Sequence, residues 1–215
     1  MHRDSMGLAR MDPEARRAHW EGVWTTKSPD AVSWYQRDVG PSLRLLEATG
    51  LRPPARVIDV GGGASLFVDA LLDRGFAPTV LDVSAAALEV AKARLGARAP
   101  AVAWVASDVT RFAPEATFDL WHDRAVYHFL VEADARAAYK DVLVRALPSG
   151  AHAILATFAE DGPEKCSGLP VRRASAELLA ADFAGALALV ESARETHTTP
   201  WGSTQSFTWT RWRRP

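Results

Sequence analysis

A short β-branched run closed by three glycines, Arg56-Val57-Ile58-Asp59-Val60-Gly61-Gly62-Gly63, constrains this chain more than any other feature. Its apolar residues are continuous rather than alternating, so it reads as a strand buried on both faces, with helices on either side of its sheet. Pro53-Pro54 breaks the chain just before it, and the ordered core starts there. The pattern then alternates. A helix over 65–74, stopped by Gly75, leads to a strand over 79–83 and a helix over 85–95, with Ser84 as N-cap and Gly96 behind. Strands follow over 101–106, 118–122 and 152–158, the last two separated by a helix over 133–146. Strands joined by helices of this length need crossovers, so the sheet is expected to be largely parallel.

The flanks read differently. Asp12-Pro13-Glu14 has the form of a helix start, and that helix sets Trp20 and Trp24 four apart on one face, a spacing more typical of core than of a site. A second helix is expected over 41–48. Residues 160–170, with Gly162, Pro163, Gly168 and Pro170, are expected to be irregular and to overhang the sheet as a loop carrying Cys166. A helix over 176–183 and strands over 187–194 and 205–212 close the chain, the two strands forming an antiparallel end to the sheet. Composition narrows the partners. With 25 Lys plus Arg against 26 Asp plus Glu, the net charge of −1 gives no general pull toward nucleic acid. One cysteine cannot form an internal disulfide, which suits a cytoplasmic setting, and the amino end lacks the apolar run of a signal peptide. Neither membrane nor metal is expected as a partner.

Open parallel sheets bind ligands beyond the carboxyl ends of their strands, with the glycine turn after the first strand. Dinucleotides ask for a third glycine to seat the helix, and position 66 is Leu. Asp59 stands just ahead of the glycines, where it suits the cationic amino end of S-adenosylmethionine. Asp82 ends the second strand about twenty residues on, where an acid accepts ribose hydroxyls. Asp108, after the third strand, could accept from an adenine amino group. A nicotinamide oxidoreductase is therefore disfavoured.

In these segments the chain resembles the class I S-adenosylmethionine-dependent methyltransferases over about 56–158. Val57 to Gly63 is similar to the glycine-rich first motif, Val80-Leu81-Asp82-Val83-Ser84 to the acidic second, Ser107-Asp108-Val109 to the adenine motif, and Phe118 to Arg124 to the fourth. Ser65 stands where many members have a third glycine, and Ser149 where many have Pro-Gly-Gly. The resemblance implies a Rossmann-like, seven-stranded, mostly parallel α/β sheet with an antiparallel carboxy-terminal hairpin. It also implies one domain over 1–215, with residues 1–52 as a helical cap on a 53–215 core.

The implied activity is methyl transfer from S-adenosylmethionine, leaving S-adenosylhomocysteine. By resemblance and residue type together, the cofactor set is Trp34, Asp59, Gly61, Gly62, Gly63, Asp82, Val83, Asp108, Val109, Asp123 and Arg124. A small-molecule acceptor is expected. The rivals are a protein-lysine methyltransferase and a regulatory protein that binds the cofactor without transfer. Positioning carries such displacements, and a base is needed only for an acceptor that arrives protonated. His128, with Tyr127 second, is the candidate for that base or for an acceptor contact.

Overall fold

The computed structural model describes residues 12–28 and 30–215; the amino-terminal residues discussed above lie outside them. Two helices, α1 (Pro13–Thr26) and α2 (Gly40–Ala48), precede the sheet. The alternating core follows as β1 (Arg56–Val60), α3 (Phe67–Asp73), β2 (Ala77–Asp82), α4 (Ala85–Leu95), β3 (Ala103–Ala106), β4 (Leu120–Arg124), α5 (Ala133–Ala146) and β5 (His152–Phe158). Last come β6 (Lys165–Cys166), β7 (Leu169–Pro170), α6 (Ala176–Asp182), β8 (Ala188–Thr198) and β9 (Thr204–Arg213). Seven strands make one sheet in the order β3-β2-β1-β4-β5-β9-β8, and β6 and β7 pair apart from it. All pairs from β3 to β5 are parallel, while β9 runs antiparallel to both β5 and β8. Strand order reverses between β1 and β4, which puts the glycine turn and the end of β4 side by side.

Alternation along the strands sorts the two faces. Val57 and Leu120 meet Leu45 and Leu46 of α2 and Phe67 and Leu71 of α3, whereas Ile58, Val60 and Trp121 meet Tyr139 and Leu143 of α5 and Phe183 beyond α6. Helices thus cover both faces, as the continuous apolar strands require. Helix α4 lies where its caps direct it: Ser84 Oγ accepts from Ala87 N–H, and Gly96 takes φ +54° at the other end.

Most element ends shift by a few residues from expectation, and three departures have a visible cause. The fourth strand starts at Leu120 rather than at 118, because the Asp119 side chain accepts from Arg56 N–H and Phe118 N–H donates to the end of α5. Residues Gly96–Ala101 wind as a 3-10 helix, so β3 begins at Ala103. The 160–170 segment is not wholly irregular, since Lys165 pairs with Pro170 and Cys166 with Leu169 around a turn in which Ser167 and Gly168 both have positive φ. That is the backbone a tight two-residue hairpin needs.

Candidate functional site

The site grows from the bend after β1. Gly61 and Gly63 take φ of +66° and +30°, and a Cβ at either would meet Val126 Cγ2 at 2.1 Å or Asp82 Oδ2 at 2.7 Å. At Gly62 the collision would be with Asp59 Oδ2, at 2.5 Å. All three glycines are therefore required by the closeness of neighbouring strand ends, the first and third also by conformation.

Asp59 is buried and held from behind. His122 Nδ1 lies 2.7 Å from its Oδ1, and His122 Nε2 lies 2.9 Å from Ser42 Oγ, so the imidazole is fixed at both nitrogens. The Asp59 Oδ2 atom is buried and has no partner. Asp82 accepts from Ser84 N–H at 2.8 Å. Burial pushes its carboxyl up to about 7, with the charges of Asp59 and Glu21 adding to the rise. On the other side of the bend Arg124 stacks on Phe207 and donates from Nη1 to Trp34 O, while its Nε and Nη2 are buried without partners. Burial lowers this guanidinium to about 10.

These groups line a two-lobed cavity. The larger lobe, about 100 Å³, is floored by Gly61, Leu81, Asp82, Val83, Asp108 and Val109 and walled by Trp20, Trp24, Trp34, Phe129 and Cys166. The smaller, about 60 Å³, holds Asp59, Gly62, Tyr35 and His122. Gly61, Trp24, Trp34 and Arg124 border both. A wider groove of about 540 Å³ opens outside the wall that Trp20, Phe129 and Leu130 form.

Several expected roles change. Asp123 is fully buried and outside both lobes; its carboxylate accepts from Val126 N–H, Tyr127 N–H and, at 2.6 Å, Tyr139 O–H, so it fastens the turn after β4. Burial raises it to about 6. His128 also fails to reach the cavity. It sits between Phe129 and Phe158, accepts from Phe158 N–H at Nδ1, and is lowered by burial and by Arg124 to about 3. Tyr127 is packed on Tyr139 and Phe183 and donates its O–H to Asp182. The short 3-10 turn Tyr127–Phe129 turns both side chains into the core and leaves Phe129 at the cavity.

Asp108 borders the larger lobe, but both its oxygens are engaged: Oδ2 by Arg16, and Oδ1 by Thr110 N–H and Oγ1. Trp20 and Trp24, expected in the core, instead face the cavity and pack edge-on against Trp34, with centroids 5.5 and 6.2 Å away. Cys166 lies in the same wall, where burial pushes its thiol up to about 12.

Two residues of α1 were not foreseen. Arg16 covers Asp108, and Glu21 accepts from Ser84 Oγ and from the N–H groups of Ala85 and Ala86, capping α4 from outside. The only hint in the sequence was their place on the face of the helix that carries Trp20 and Trp24.

Residues 57–150 match the family model described as a methyltransferase domain. No curated protein sequence matches the chain. Among solved structures, the chain is similar to the 1,6-didemethyltoxoflavin-N1-methyltransferase of Burkholderia thailandensis, crystallised with S-adenosylhomocysteine: 21% identity, TM-score 0.71, covering 100% of this chain and 98% of that one. It is similar to the N-methyltransferase NodS of Bradyrhizobium japonicum at 22% identity and TM-score 0.64, over 80% of this chain and 83% of that one. A SAM-dependent methyltransferase from Anabaena variabilis aligns over 100% of both chains at 14% identity, with TM-score 0.75.

Proposed function

Residues 57–150 form a methyltransferase domain of the class I, S-adenosylmethionine-dependent family, and from that premise we propose that the chain methylates a small-molecule acceptor. The cofactor brings a methyl group on a cationic sulfur. The chain's own residues fit that group on three counts. Asp59 Oδ2, buried and unpartnered, would take the ammonium of its amino-acid tail; the paired free donors Nε and Nη2 of Arg124 match a carboxylate. Asp82 would accept from the ribose hydroxyls, with Val83 and Val109 against the base. The faces of Trp20, Trp24 and Trp34 attract a cation and keep water from it.

Catalysis in this reading is placement. An acceptor held in line with the sulfur by the aromatic wall and the Cys166 hairpin gains the ordering advantage that positioning supplies, up to about 7–11 kcal/mol. The observation that carries the small acceptor is the enclosure: α1, Trp34 and the β6–β7 hairpin close over the strand ends, and the groove outside them, about 540 Å³, has the dimensions of a small-ligand pocket. The likeness in fold to the N-methyltransferase NodS and to an enzyme that methylates N1 of 1,6-didemethyltoxoflavin supports it.

Labelled methyl donor offered to panels of small amines, thiols, carboxylates and phenols, and in parallel to lysine-rich proteins, tests the proposal. Label in the small compounds is expected; label confined to protein would overturn it.

A further inference from the structure

We propose that Ser42 and His122 are positioning residues for the cofactor: they fix Asp59 so that one carboxylate oxygen meets the ammonium of the amino-acid tail, and thereby make the protein prefer nucleosides whose tail carries that group. The inference rests on the methyl-transfer reading and gives a task to two residues which that reading leaves unused.

The three residues come from three elements. Asp59 stands near the end of β1, His122 is its partner in the register of β4, and Ser42 lies in the first turn of α2. His122 Nδ1 is 2.7 Å from Asp59 Oδ1, and its Nε2 is 2.9 Å from Ser42 Oγ. Phe67, the first residue of α3, lies over the imidazole with ring centroids 4.2 Å apart. All three residues are buried, and all three border the smaller lobe.

Folding alone does not call for this arrangement. A buried carboxylate is costly unless its oxygens are satisfied, and apolar residues of similar volume would fill the same space without that cost. Here Oδ1 is satisfied and Oδ2 has no partner. The glycine bend leaves that second oxygen uncovered: a Cβ at Gly62 would stand 2.5 Å from it, so a side chain there would press on it. A bare acceptor at the wall of a small cavity points to a ligand that brings its own donor. The ammonium is the charged donor that the cofactor carries.

An ionised carboxylate only accepts, so the proton between the two residues sits on His122 Nδ1. In the neutral ring Nε2 is then an acceptor, and the Ser42 hydroxyl donates to it. Each contact constrains something different. The Nδ1–H bond holds the plane of the carboxylate and keeps Oδ2 beside the glycine bend. The Ser42 bond holds the ring: turned over, the imidazole would offer carbons in place of both nitrogens and lose both bonds. A neutral ring also brings no charge of its own, so Asp59 keeps the whole negative charge that an ammonium needs. Without the ring, the carboxylate is free to turn and neither oxygen has a donor.

The test measures Kd by calorimetry, on the full chain, for S-adenosylhomocysteine and for its desamino analogue, which keeps the nucleoside, the sulfur and the carboxylate and lacks only the ammonium. In the unaltered chain the ammonium should contribute about 10-fold or more in affinity, the range of a hydrogen bond to a charged group. His122→Leu should shrink that ratio to about threefold or less, chiefly by weakening S-adenosylhomocysteine. His122→Asn, whose amide N–H can stand where Nδ1–H stood, should restore most of it. Ser42→Ala removes one hydroxyl, is the milder change should His122→Leu not fold, and should lower the ratio by about twofold or more. A ratio unchanged in whichever of these variants fold, even with both ligands bound more weakly, would mean packing alone and overturn the inference. So would a ratio near one in an unaltered chain that binds both ligands. An unaltered chain that binds neither would instead sink the methyl-transfer reading, and this inference with it.

Discussion

Arg16 Nε donates to Asp108 Oδ2 at 2.8 Å, tying the first helix to the end of β3 across 92 positions of sequence. Burial alone would raise the Asp108 carboxyl, but the hydrogen bonds from Arg16 and Thr110, with the Arg16 charge, outweigh it and hold the group below its usual 3.8. A carboxyl depressed on folding contributes stability that is complete above its unfolded pKa and is lost as pH falls through the folded one. Asp108→Asn should therefore lower the unfolding free energy measured in urea at neutral pH, by on the order of 1 kcal/mol, and make less difference in strongly acidic solution, as the folded carboxyl is protonated. Equal losses at both pH values would show that the ion pair contributes nothing.

Asp82 gives a pH dependence of binding rather than of folding. With its carboxyl raised to about 7, chiefly by burial, much of it is protonated in slightly acidic solution and accepts hydrogen bonds poorly. Affinity for S-adenosylhomocysteine should rise through pH 6 to 8 by about tenfold or less, and Asp82→Asn should flatten that rise while weakening binding by about 1–3 kcal/mol. Calorimetry across the pH range checks both, and a parallel rise in the variant would exclude Asp82 as its source.

What could be read in advance was local. The caps of α4, the glycine bend and β1 each depend on residues within a few positions, so the sequence states them directly: Ser84 and Gly96 end a helix wherever it packs. Missing were contacts between distant segments. Arg16 on Asp108, and Glu21 on the start of α4, depend on how α1 lies over the sheet, which no spacing encodes. His128 was misplaced for a related reason: which way a side chain points after β4 is set by a 3-10 turn of three residues, too short for periodicity to declare. The hairpin at Cys166 was legible in principle, from Ser167-Gly168 between two short runs.

Glu21 is expected to act as a tie on α1. The larger lobe, about 100 Å³, is smaller than the roughly 300 Å³ or more of ordinary ligand pockets, and α1, which walls it with Trp20 and Trp24, is the element expected to move outward as a nucleoside enters. Its carboxylate accepts from Ala85 N–H at 2.7 Å and Ala86 N–H at 3.2 Å, at the positive end of α4. Glu21→Gln should weaken that hold by about 0.3–1 kcal/mol and speed both association and release of S-adenosylhomocysteine. Stopped-flow measurements with unchanged rates would mean that α1 is not the moving part.

His128 should matter for stability and not for chemistry. His128→Leu leaves Phe158 N–H without its acceptor in a closed core, at a cost of about 1–3 kcal/mol. Turnover per folded molecule at saturating substrates should stay within about twofold, since the transition state loses no contact. A fall of about 100-fold in kcat with cofactor affinity intact would return His128 to the reaction.

The closest approach in the site yields the most exacting prediction. A methyl at Gly61 would lie 2.1 Å from Val126 Cγ2, and the residue holds φ +66°. Gly61→Ala therefore faces two separate penalties, a collision and a left-handed backbone, of which the second is about 1–2 kcal/mol. Val126→Ala removes the colliding methyl and touches only the first. The double variant should regain most of the stability lost in Gly61→Ala while remaining about 1–2 kcal/mol below Val126→Ala, the residue of cost being the backbone. Binding of S-adenosylhomocysteine should be lost in Gly61→Ala, and recovered in the double variant only as far as the bend regains its shape. Simple additivity of the two single changes would mean that the strands can part without loss, and that Gly61 is not the point where β1 and β4 are held together.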